Sequence, residues 1–235
     1  MAETSRVHRS KSQTVEASPG AAAQIYDRLR EDLISLRIEP GVVLNRLKLQ
    51  QEFGLSSTPV RDALMRLEEE GLVEIFAQSA TRVSLINVAA ARQSQFLRRA
   101  LEQEAIETVC LSPDRTVAHE LKALIESQKD AAKSLDISRF EDLDREFHRR
   151  IFEAAGVLGL FHMVRRHSGH IDRIRRLHLP HAGKMQEIVR DHGQILRALI
   201  AGEAGEARAR MRDHLSRSIA YSPKLREQYP TYFEL

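Results

Sequence analysis

Four side chains in the second half of the sequence combine oxygen and nitrogen donors at helical spacing. In the segment FEDLDREFHRRIFEAAG, Asp144 and His148 are four residues apart, so both lie on one helical face among apolar residues. His192 and His214 fall in two later segments, again among apolar residues. One carboxylate and three imidazoles are costly to bury unpaired, and together they form a ligand set that a divalent metal ion satisfies. The pattern alone leaves open that each histidine is a hydrogen-bonded core or interface residue.

The other groups that could take part in chemistry give weaker patterns. Five histidines crowd one helical segment and its end but spread around the helix, so we interpret them as surface or pocket-rim groups: His162, His167, His170, His178 and His181. Cys110 is the only cysteine, which excludes an intramolecular disulfide, and we expect it to pack as a small hydrophobic residue. The sequence has neither a glycine-rich phosphate loop nor a GxSxG motif.

A second pattern with chemical consequences is the stretch SSTPVRDALMRLEEEGLV, residues 56–73. Thr58 suits the N-cap of a helix, and Pro59 suits the first helical position, where a missing N–H costs nothing. Arg61 and the free N–H groups of the first turn could therefore meet phosphates and bases. The glutamates at 68–70 lie at the other end, where the helix dipole disfavours them. By itself, the stretch also fits an ordinary capped surface helix.

The neighbouring segments predict how this helix is presented. Helical spacing and turn signals indicate two preceding helices, at 24–37 and 46–53. Two alternating segments, Leu72–Phe76 and Thr81–Leu85, predict strands joined by the tip AQSA. Three helices followed by a two-stranded wing define a winged helix-turn-helix over residues 21–86. In that motif the third helix enters the major groove of DNA with its N-terminal end.

From about residue 89 the sequence is helical throughout. Six helices are predicted, at 89–110, 113–132, 137–155, 157–178, 184–201 and 204–220. We therefore expect a mainly α protein, in which the winged domain precedes an antiparallel six-helix bundle over residues 89–222. Residues 223–235 are expected to form a tail. Residues 1–20 are expected to form a disordered arm, which is either passive or touches DNA phosphates or the minor groove.

Composition narrows the class of protein. Apolar residues make up 42% of 235, enough for real cores, while 5% aromatics and no tryptophan favour helices over sheets. No segment has the apolar length of a membrane span or of a signal peptide, so we expect a cytoplasmic protein with no membrane partner. Residues 1–88 hold eleven basic and twelve acidic residues, so any DNA contact must depend on local geometry and not on bulk charge.

The first half carries a family resemblance. The stretches PGVVL and FGLSSTPVRDALMRLEEEGLV, with the strands after them, resemble the DNA-binding domain of GntR-type bacterial regulators over residues 22–85. Ser57 stands where that family usually has a base-reading arginine, and Gln78 where the wing usually has glycine. We therefore expect the domain to dock on DNA as in that family, and its preferred operator sequence to differ. The resemblance implies DNA contacts by Ser56, Ser57, Thr58, Pro59, Arg61, Arg66, Gln78 and Arg82.

The second half resembles the FCD effector domain of the FadR subfamily. Metal-binding members of that subfamily use an aspartate and a histidine on one helix and single histidines on two later helices. Asp144, His148, His192 and His214 match those positions. The resemblance implies zinc as the metal, with nickel or manganese as alternatives for a mixed O/N site. A domain of six helices points to the VanR-like branch.

The segment RRALEQEAI, residues 98–106, resembles the effector-binding helix of the same family. On that match Arg98, with Glu102 one turn further on, binds an effector carboxylate, because a guanidinium group contacts both carboxylate oxygens. The alternative is a surface salt bridge between the two residues. The family often has SGN after the aspartate–histidine helix, whereas residues 155–157 here are AGV, so a usual polar group of the pocket is missing.

These features together predict a homodimeric DNA-binding transcriptional repressor that is not an enzyme. A small carboxylate or hydroxyacid, held at the metal site, is expected to modulate its operator binding. One alternative keeps the DNA-binding module but makes the metal purely structural, with dimerisation as the helical domain's task. The other is a metal-dependent hydrolase or lyase, for which no residue in the sequence can be assigned as the general base.

Overall fold

The computed structural model describes residues 20–76 and 80–234. Two predicted features lie outside these residues, namely the N-terminal arm up to residue 19 and the wing residue Gln78. Within the described ranges, each helix is too short or too polar to cross a lipid bilayer.

The first unit contains three helices around one apolar core. They are α1 (Ala21–Ile34), α2 (Arg46–Phe53) and α3 (Ser57–Glu69). One face of α1 is buried against α3, because apolar residues recur along it at helical spacing. The helix ends at Ile34, earlier than predicted, since Leu36 adopts a left-handed conformation with φ of 60° that no helix can continue.

The start of α3 differs from the sequence prediction by two residues. Ser56, and not Thr58, is the N-cap, and its extended backbone leads into Ser57 as the first helical residue. Pro59 is consequently the third helical residue and not the first. The proline is tolerated there because the first four N–H groups of a helix have no partner within the helix.

The predicted wing is confirmed and gains a third strand. The strands β2 (Val73–Ile75) and β3 (Thr81–Val83) pair antiparallel, with Glu74 opposite Arg82. The additional strand β1 (Val43–Leu44) pairs with the other edge of β3, so the sheet order is β1-β3-β2. Two residues are too few to show an alternating pattern, which is why β1 could not be predicted.

The second unit is all-helical, as expected, but the prediction of six helices is wrong. Its helices are α4 (Val88–Leu111), α5 (Thr116–Ser134), α6 (Ile137–Ala154), α7 (Leu158–Arg166), α8 (Gly169–His178), α9 (Lys184–Ala201) and α10 (Ala204–Ala220). The helix predicted over 157–178 is divided at His167 and Ser168. There Ser168 precedes the next helix: its backbone oxygen accepts from the N–H of Asp172, and its hydroxyl donates to the Asp172 carboxylate. The helix count therefore no longer argues for the VanR-like branch.

The segment after α10 is also structured, in contrast to the predicted tail. A short helix, α11 (Ser222–Gln228), and a 3-10 turn at Pro230–Tyr232 bring Phe233 beside Ile86 in an isolated parallel bridge. Leu225 and Phe233 are buried in a small core with Ile86, which lies in the connection between the wing and α4. The segment therefore packs over the connection between the two units.

Candidate metal centre and nucleic-acid interface

The four predicted metal-binding residues converge inside the helical unit. Asp144 and His148 come from α6, His192 from α9 and His214 from α10, and all four side chains are buried. One donor atom from each residue lies within 4.8 Å of the others. Residues up to 70 positions apart in the sequence therefore meet at one point in the core.

The three imidazole rings present the same nitrogen to this point. The Nε2 atom of His214 lies 3.3 Å from His192 Nε2 and 3.3 Å from His148 Nε2. The Asp144 carboxylate contributes Oδ1, 3.7 Å from His192 Nε2, and Oδ2, 3.9 Å from His148 Nε2. The donor set is thus three imidazole nitrogens and one carboxylate.

Each ring turns its other nitrogen outward to an oxygen atom. His148 Nδ1 lies 2.6 Å from Glu102 Oε2, and His192 Nδ1 lies 2.9 Å from Gln128 Oε1. His214 Nδ1 faces Asp191 Oδ2 at 3.5 Å. An oxygen acceptor at Nδ1 holds the proton on that nitrogen, which leaves the Nε2 lone pair free to point inward. Gln128 and Asp191 were missed in the sequence because nothing in their spacing distinguishes them from other polar residues.

Burial keeps these groups in the protonation states that a cation requires. Burial, followed by the neighbouring His214, lowers the pKa of His192 well below its ordinary value. Burial likewise lowers the pKa of His214. Burial opposes ionisation of Asp144, but Arg175 and the three histidines outweigh it and hold the pKa of that carboxyl well below its usual range. At neutral pH His192 and His214 are therefore neutral and Asp144 is ionised.

The resulting arrangement fits a divalent cation. Three inward lone pairs and Asp144 Oδ1 face one another, and Asp144 Oδ1 is buried without a hydrogen-bond partner among the described residues. Acceptors that converge without a donor repel one another, whereas a cation among them satisfies all four. Three histidines and a carboxylate match the nitrogen and oxygen ligands that zinc, nickel and manganese accept.

The predicted effector residues Arg98 and Glu102 lie beside this cluster. Their side chains form the expected ion pair, with Arg98 Nε 2.7 Å from Glu102 Oε1, but both are buried and not at the surface. Burial opposes ionisation of Glu102, but Arg98 and His148 outweigh it and lower the pKa of Glu102 to about 2. Glu102 therefore lies behind His148, on the side away from the other donors.

A narrow cleft between α4, α8, α9 and α10 reaches His214, one of the four donor residues. Arg98 lines it together with Arg175, Lys184, Asp191, His214 and Ser218. Three cationic side chains at the mouth of a donor cluster suit an anion more than a neutral or cationic molecule. Of the two predicted effector residues, only Arg98 lines this cleft.

The predicted DNA-reading end of α3 is exposed. Ser57, Thr58 and Arg61 are accessible, and the Arg61 side chain is 69% exposed. They share a concave surface with Arg46 and Gln50 of α2. These two residues are four positions apart, so they lie on the same face of α2. Arg46 also donates from Nε to Thr81 Oγ1 at 3.0 Å, which ties α2 to the wing. Arg46 was not predicted as a DNA contact, because nothing in the spacing of α2 distinguishes it from other surface residues.

Three of the predicted DNA contacts have other surroundings. Pro59 is buried, so it shapes the start of α3 and offers no surface to DNA. Arg66 stacks on the ring of Tyr26, with Cζ 3.8 Å from the ring centroid, in the cleft between α3 and α7. Arg66 thus faces the helical unit, because α3 has turned by more than one full turn since Arg61. Ser56 is half-buried at the N-cap, whereas Arg82 is exposed on the wing near Phe76.

The glutamates at the end of α3 have specific partners within the fold. Glu68 Oε1 accepts a hydrogen bond from the backbone N–H of Ile75 at 2.9 Å, which joins α3 to β2. Glu70 accepts from Tyr26 and from Arg30 Nε, the latter at 2.7 Å. These contacts offset the unfavourable position of the carboxylates at the negative end of the helix dipole.

The interpretation of the five other histidines is partly wrong. His162 and His167 are exposed and His181 is half-buried, as expected. His170 and His178 are buried instead, and burial lowers the pKa of His170 to about 3 and that of His178 to about 4. His170 accepts a hydrogen bond from the backbone of Asn87, and His178 stacks on Tyr221.

A winged helix-turn-helix joined to a helical domain with a buried donor cluster is the architecture of a two-domain DNA-binding regulator. Residues 21–83 match the family model described as bacterial regulatory proteins, gntR family, and residues 94–217 match the FCD domain. The chain therefore belongs to the GntR family of bacterial transcriptional regulators, within the FCD-containing FadR subfamily. These families are transcriptional regulators and not enzymes.

Similar proteins agree with this assignment. The chain is 34% identical over 208 residues to an HTH-type transcriptional regulator in an unstable DNA locus of Streptomyces ambofaciens, covering 86% of this chain and 87% of that protein. It is 25% identical over 210 residues to the HTH-type transcriptional repressor RspR of Escherichia coli, covering 89% and 92%. The solved structure of E. coli McbR/YncC shares the fold with a TM-score of 0.75 at 21% identity, covering 89% of this chain and 98% of that one.

Proposed function

We propose that this regulator is a homodimeric repressor that acts in the cytoplasm and senses a small organic acid. The acid would bind beside a divalent metal ion, most simply zinc, held by Asp144, His148, His192 and His214. Ligand binding would then change the affinity for an operator made of two half-sites. A closed two-fold dimer presents two reading helices, which is the arrangement that a near-palindromic operator requires.

The observation that carries this proposal is the orientation of the three imidazole rings. All three Nε2 atoms point at one another and at Asp144, while each Nδ1 faces an oxygen atom. A set of histidines that served only to fill a core would gain nothing from opposed lone pairs. When bound, the metal would supply a Lewis-acidic position for a carboxylate or hydroxyl oxygen of the effector.

The chemistry of the cleft supports an anionic effector. Arg98 and Lys184 line it next to His214, and both are buried. A guanidinium group binds the two oxygens of a carboxylate together, which favours a carboxylate or hydroxyacid over a neutral sugar. On this account Arg98 contacts the effector, and Glu102 orients His148.

The proposed DNA contacts are the exposed residues at the start of α3 and on the wing, together with Arg46. They comprise Ser57, Thr58, Arg61 and Arg82, all of which are accessible. Arg61 is the residue that best combines charge, exposure and position on α3. The role as a repressor is supported by the printed name of RspR, a relative that is described as a transcriptional repressor.

A thermal-shift screen of small organic acids tests this function. The purified protein is loaded with zinc, nickel or manganese, or treated with a chelator, and each acid is added in turn. We expect one carboxylic acid or hydroxyacid to raise Tm only in a metal-loaded sample. Metal-dependent stabilisation with no response to any acid would instead favour a structural metal. Slow turnover of a stabilising acid would favour an enzyme.

A further inference from the structure

Helix α8 contacts the donor cluster on one side and the DNA-binding unit on the other. On the cluster side, Arg175 binds Asp144 Oδ2 and lies 3.9 Å from Asp172 Oδ1. On the opposite side, two residues earlier, Arg173 is fully buried and donates from one guanidinium nitrogen to the backbone oxygen of Ser84 at 2.6 Å. Ser84 belongs to the connection between the wing and α4, so one helix contacts both functional regions.

The contact with the DNA-binding unit involves more than Arg173. The backbone N–H of Asn87 donates to His170 Nδ1 at 3.0 Å, and Arg173 lies 3.0 Å from the same nitrogen. Gly169 packs directly on Leu72 at the base of the wing. A buried guanidinium group that hydrogen-bonds a backbone carbonyl fixes direction as well as distance. The first turn of α8 therefore holds the connection after the wing in one orientation.

A second route from α8 reaches the reading helix. Asp172 Oδ2 accepts from Arg165 at 2.8 Å and from the Ser168 hydroxyl at 2.6 Å. The backbone oxygen of Arg165 accepts from Arg30 at 2.6 Å, and Arg30 binds Glu70 at the end of α3. A chain of ion pairs and hydrogen bonds between buried and half-buried residues thus links Asp144 to the C-terminal end of α3.

The two oxygens of Asp144 explain how occupancy could be transmitted. Oδ2 is engaged by Arg175, whereas Oδ1 faces the histidines without a hydrogen-bond partner among the described residues. A cation at the cluster can therefore take Oδ1 while Arg175 keeps Oδ2, so that Asp144 becomes fixed at both oxygens. Fixing Asp144 restricts Arg175, and through it the position of α8.

We propose that α8 couples the donor cluster to the DNA-binding unit, with Arg175 as the positioning residue on the cluster side and Arg173 on the wing side. This inference depends on the proposed function, because it assumes that a cation binds the cluster. Cation binding holds α8 against Asp144, and α8 in turn holds the connection at Ser84 and Asn87. The coupling is a free energy shared by the two regions, so it acts in both directions.

Hydrogen exchange with and without Zn²⁺ tests the coupling on the full-length protein. The amide of Asn87 reports the contact directly, because it donates to His170 on α8. In the wild type we expect Zn²⁺ to slow exchange at Asn87 by about fivefold or more. The variant Arg175→Met keeps all four donors, and at a Zn²⁺ concentration that saturates it the variant should lose most of this protection. The matched control is Arg176→Met on the same helix, whose partner is Glu141 and not Asp144, and it should keep the protection.

Affinity for DNA provides an independent readout. The DNA used is a duplex that the wild-type protein selects from a random pool. In the wild type, Zn²⁺ should change the Kd for this duplex, and in Arg175→Met the two Kd values should coincide. If Arg175→Met is not helical by circular dichroism, Arg175→Lys replaces it, since lysine keeps the charge but cannot bridge Asp144 and Asp172. The same loss of response is expected of that variant.

The possible failures can be told apart. A wild-type protein that takes up no Zn²⁺, nickel or manganese contradicts the proposed function itself. Uptake of Zn²⁺ without any slowing of exchange at Asn87 overturns the coupling and leaves the proposed function in place. Protection that persists in the Arg175 variants overturns the role of α8. The signal would then pass along α4, which runs without interruption from Asn87 to Glu102 beside His148.

Discussion

Gly169 lies so close to Leu72 that a Cβ atom added to it would be 2.6 Å from Leu72 Cδ2. Leu72 is completely buried in the apolar core of the DNA-binding unit. The requirement for glycine here is steric, because it arises from a close approach between α8 and the base of the wing. The contact is one of several that join the two units, together with the hydrogen bonds from Arg173 to Ser84 and from Arg30 to Arg165.

We therefore expect Gly169→Ala to destabilise the protein. The added methyl group must displace Leu72 or α8, which should lower the free energy of unfolding by about 1–3 kcal/mol. Denaturant unfolding measures this value. The matched control is Gly159→Ala in α7, where an added Cβ meets no atom within 4 Å, and it should be neutral or slightly stabilising. Equal effects of the two substitutions would contradict the steric explanation.

Arg61→Ala should weaken binding to a selected duplex while leaving the fold intact. The side chain is exposed at the start of α3, so its loss removes a contact to phosphate or base of about 1–3 kcal/mol and little else. A fluorescence anisotropy titration over a range of salt concentrations measures the change. Arg66→Ala is the comparison, because Arg66 stacks on Tyr26 away from this surface and should affect stability more than DNA affinity. Stronger loss in the Arg66 variant would reverse the assignment.

His192→Ala should abolish stoichiometric metal binding. His192 is fully buried, and its Nε2 lies 3.3 Å from His214 Nε2 and 3.7 Å from Asp144 Oδ1, so no other side chain can replace it. Metal content after gel filtration, measured by inductively coupled plasma mass spectrometry, gives the answer. His162→Ala, at an exposed position on α7, removes an imidazole elsewhere and should leave the metal content unchanged. Full metal content in the His192 variant would remove His192 from the ligand set.

Gln128→Leu should weaken metal binding without removing a ligand. Gln128 is completely buried on α5, and its Oε1 lies 2.9 Å from His192 Nδ1. Loss of this acceptor frees the ring to rotate or to change its tautomer, which costs about 10–100-fold in metal affinity at comparable sites. Competition with a chelator of known affinity measures the change. An unchanged affinity would mean that His192 is oriented by its stacking on Phe147 alone.

Helices and strands were predicted correctly from the sequence wherever the hydrophobic pattern was long. The three N-terminal helices, the two-stranded hairpin and the long helices α4, α5, α6, α9 and α10 were all predicted within a few residues. The predicted helix over 157–178 was wrong because its hydrophobic spacing continues through Ser168. The break places Gly169 directly against Leu72, a contact between residues 97 positions apart. Local patterns contain no information about such contacts.

The candidate metal site could likewise be predicted only in part. Asp144 and His148 could be paired from their spacing alone, and single histidines on later helices completed the set. The outer partners Gln128 and Asp191 could not be found, because an isolated polar residue in a helix carries no sign of what it faces. Arg66 was assigned to DNA from its place in the reading helix. Its stacking on Tyr26 depends on the packing of α1 against α3, which spacing within α3 does not reveal.

Glu141 should make stability depend on pH near neutrality. Burial raises the pKa of this carboxyl to about 7 from 4.5, although Arg176 and Arg175 oppose the shift. Between pH 4.5 and about 7 the folded protein keeps a proton that the unfolded chain has lost, so stability is highest below this window and falls as pH rises through it. The shift corresponds to at most about 3 kcal/mol.

Glu141→Gln should therefore gain stability over the wild type as pH rises from 4.5, reaching a plateau above about 7. Urea unfolding at a series of pH values measures this difference, and Asp142→Asn, at the exposed neighbouring position, should retain the wild-type profile. Parallel profiles for the wild type and Glu141→Gln would show that Glu141 ionises as readily in the folded protein as in the unfolded chain.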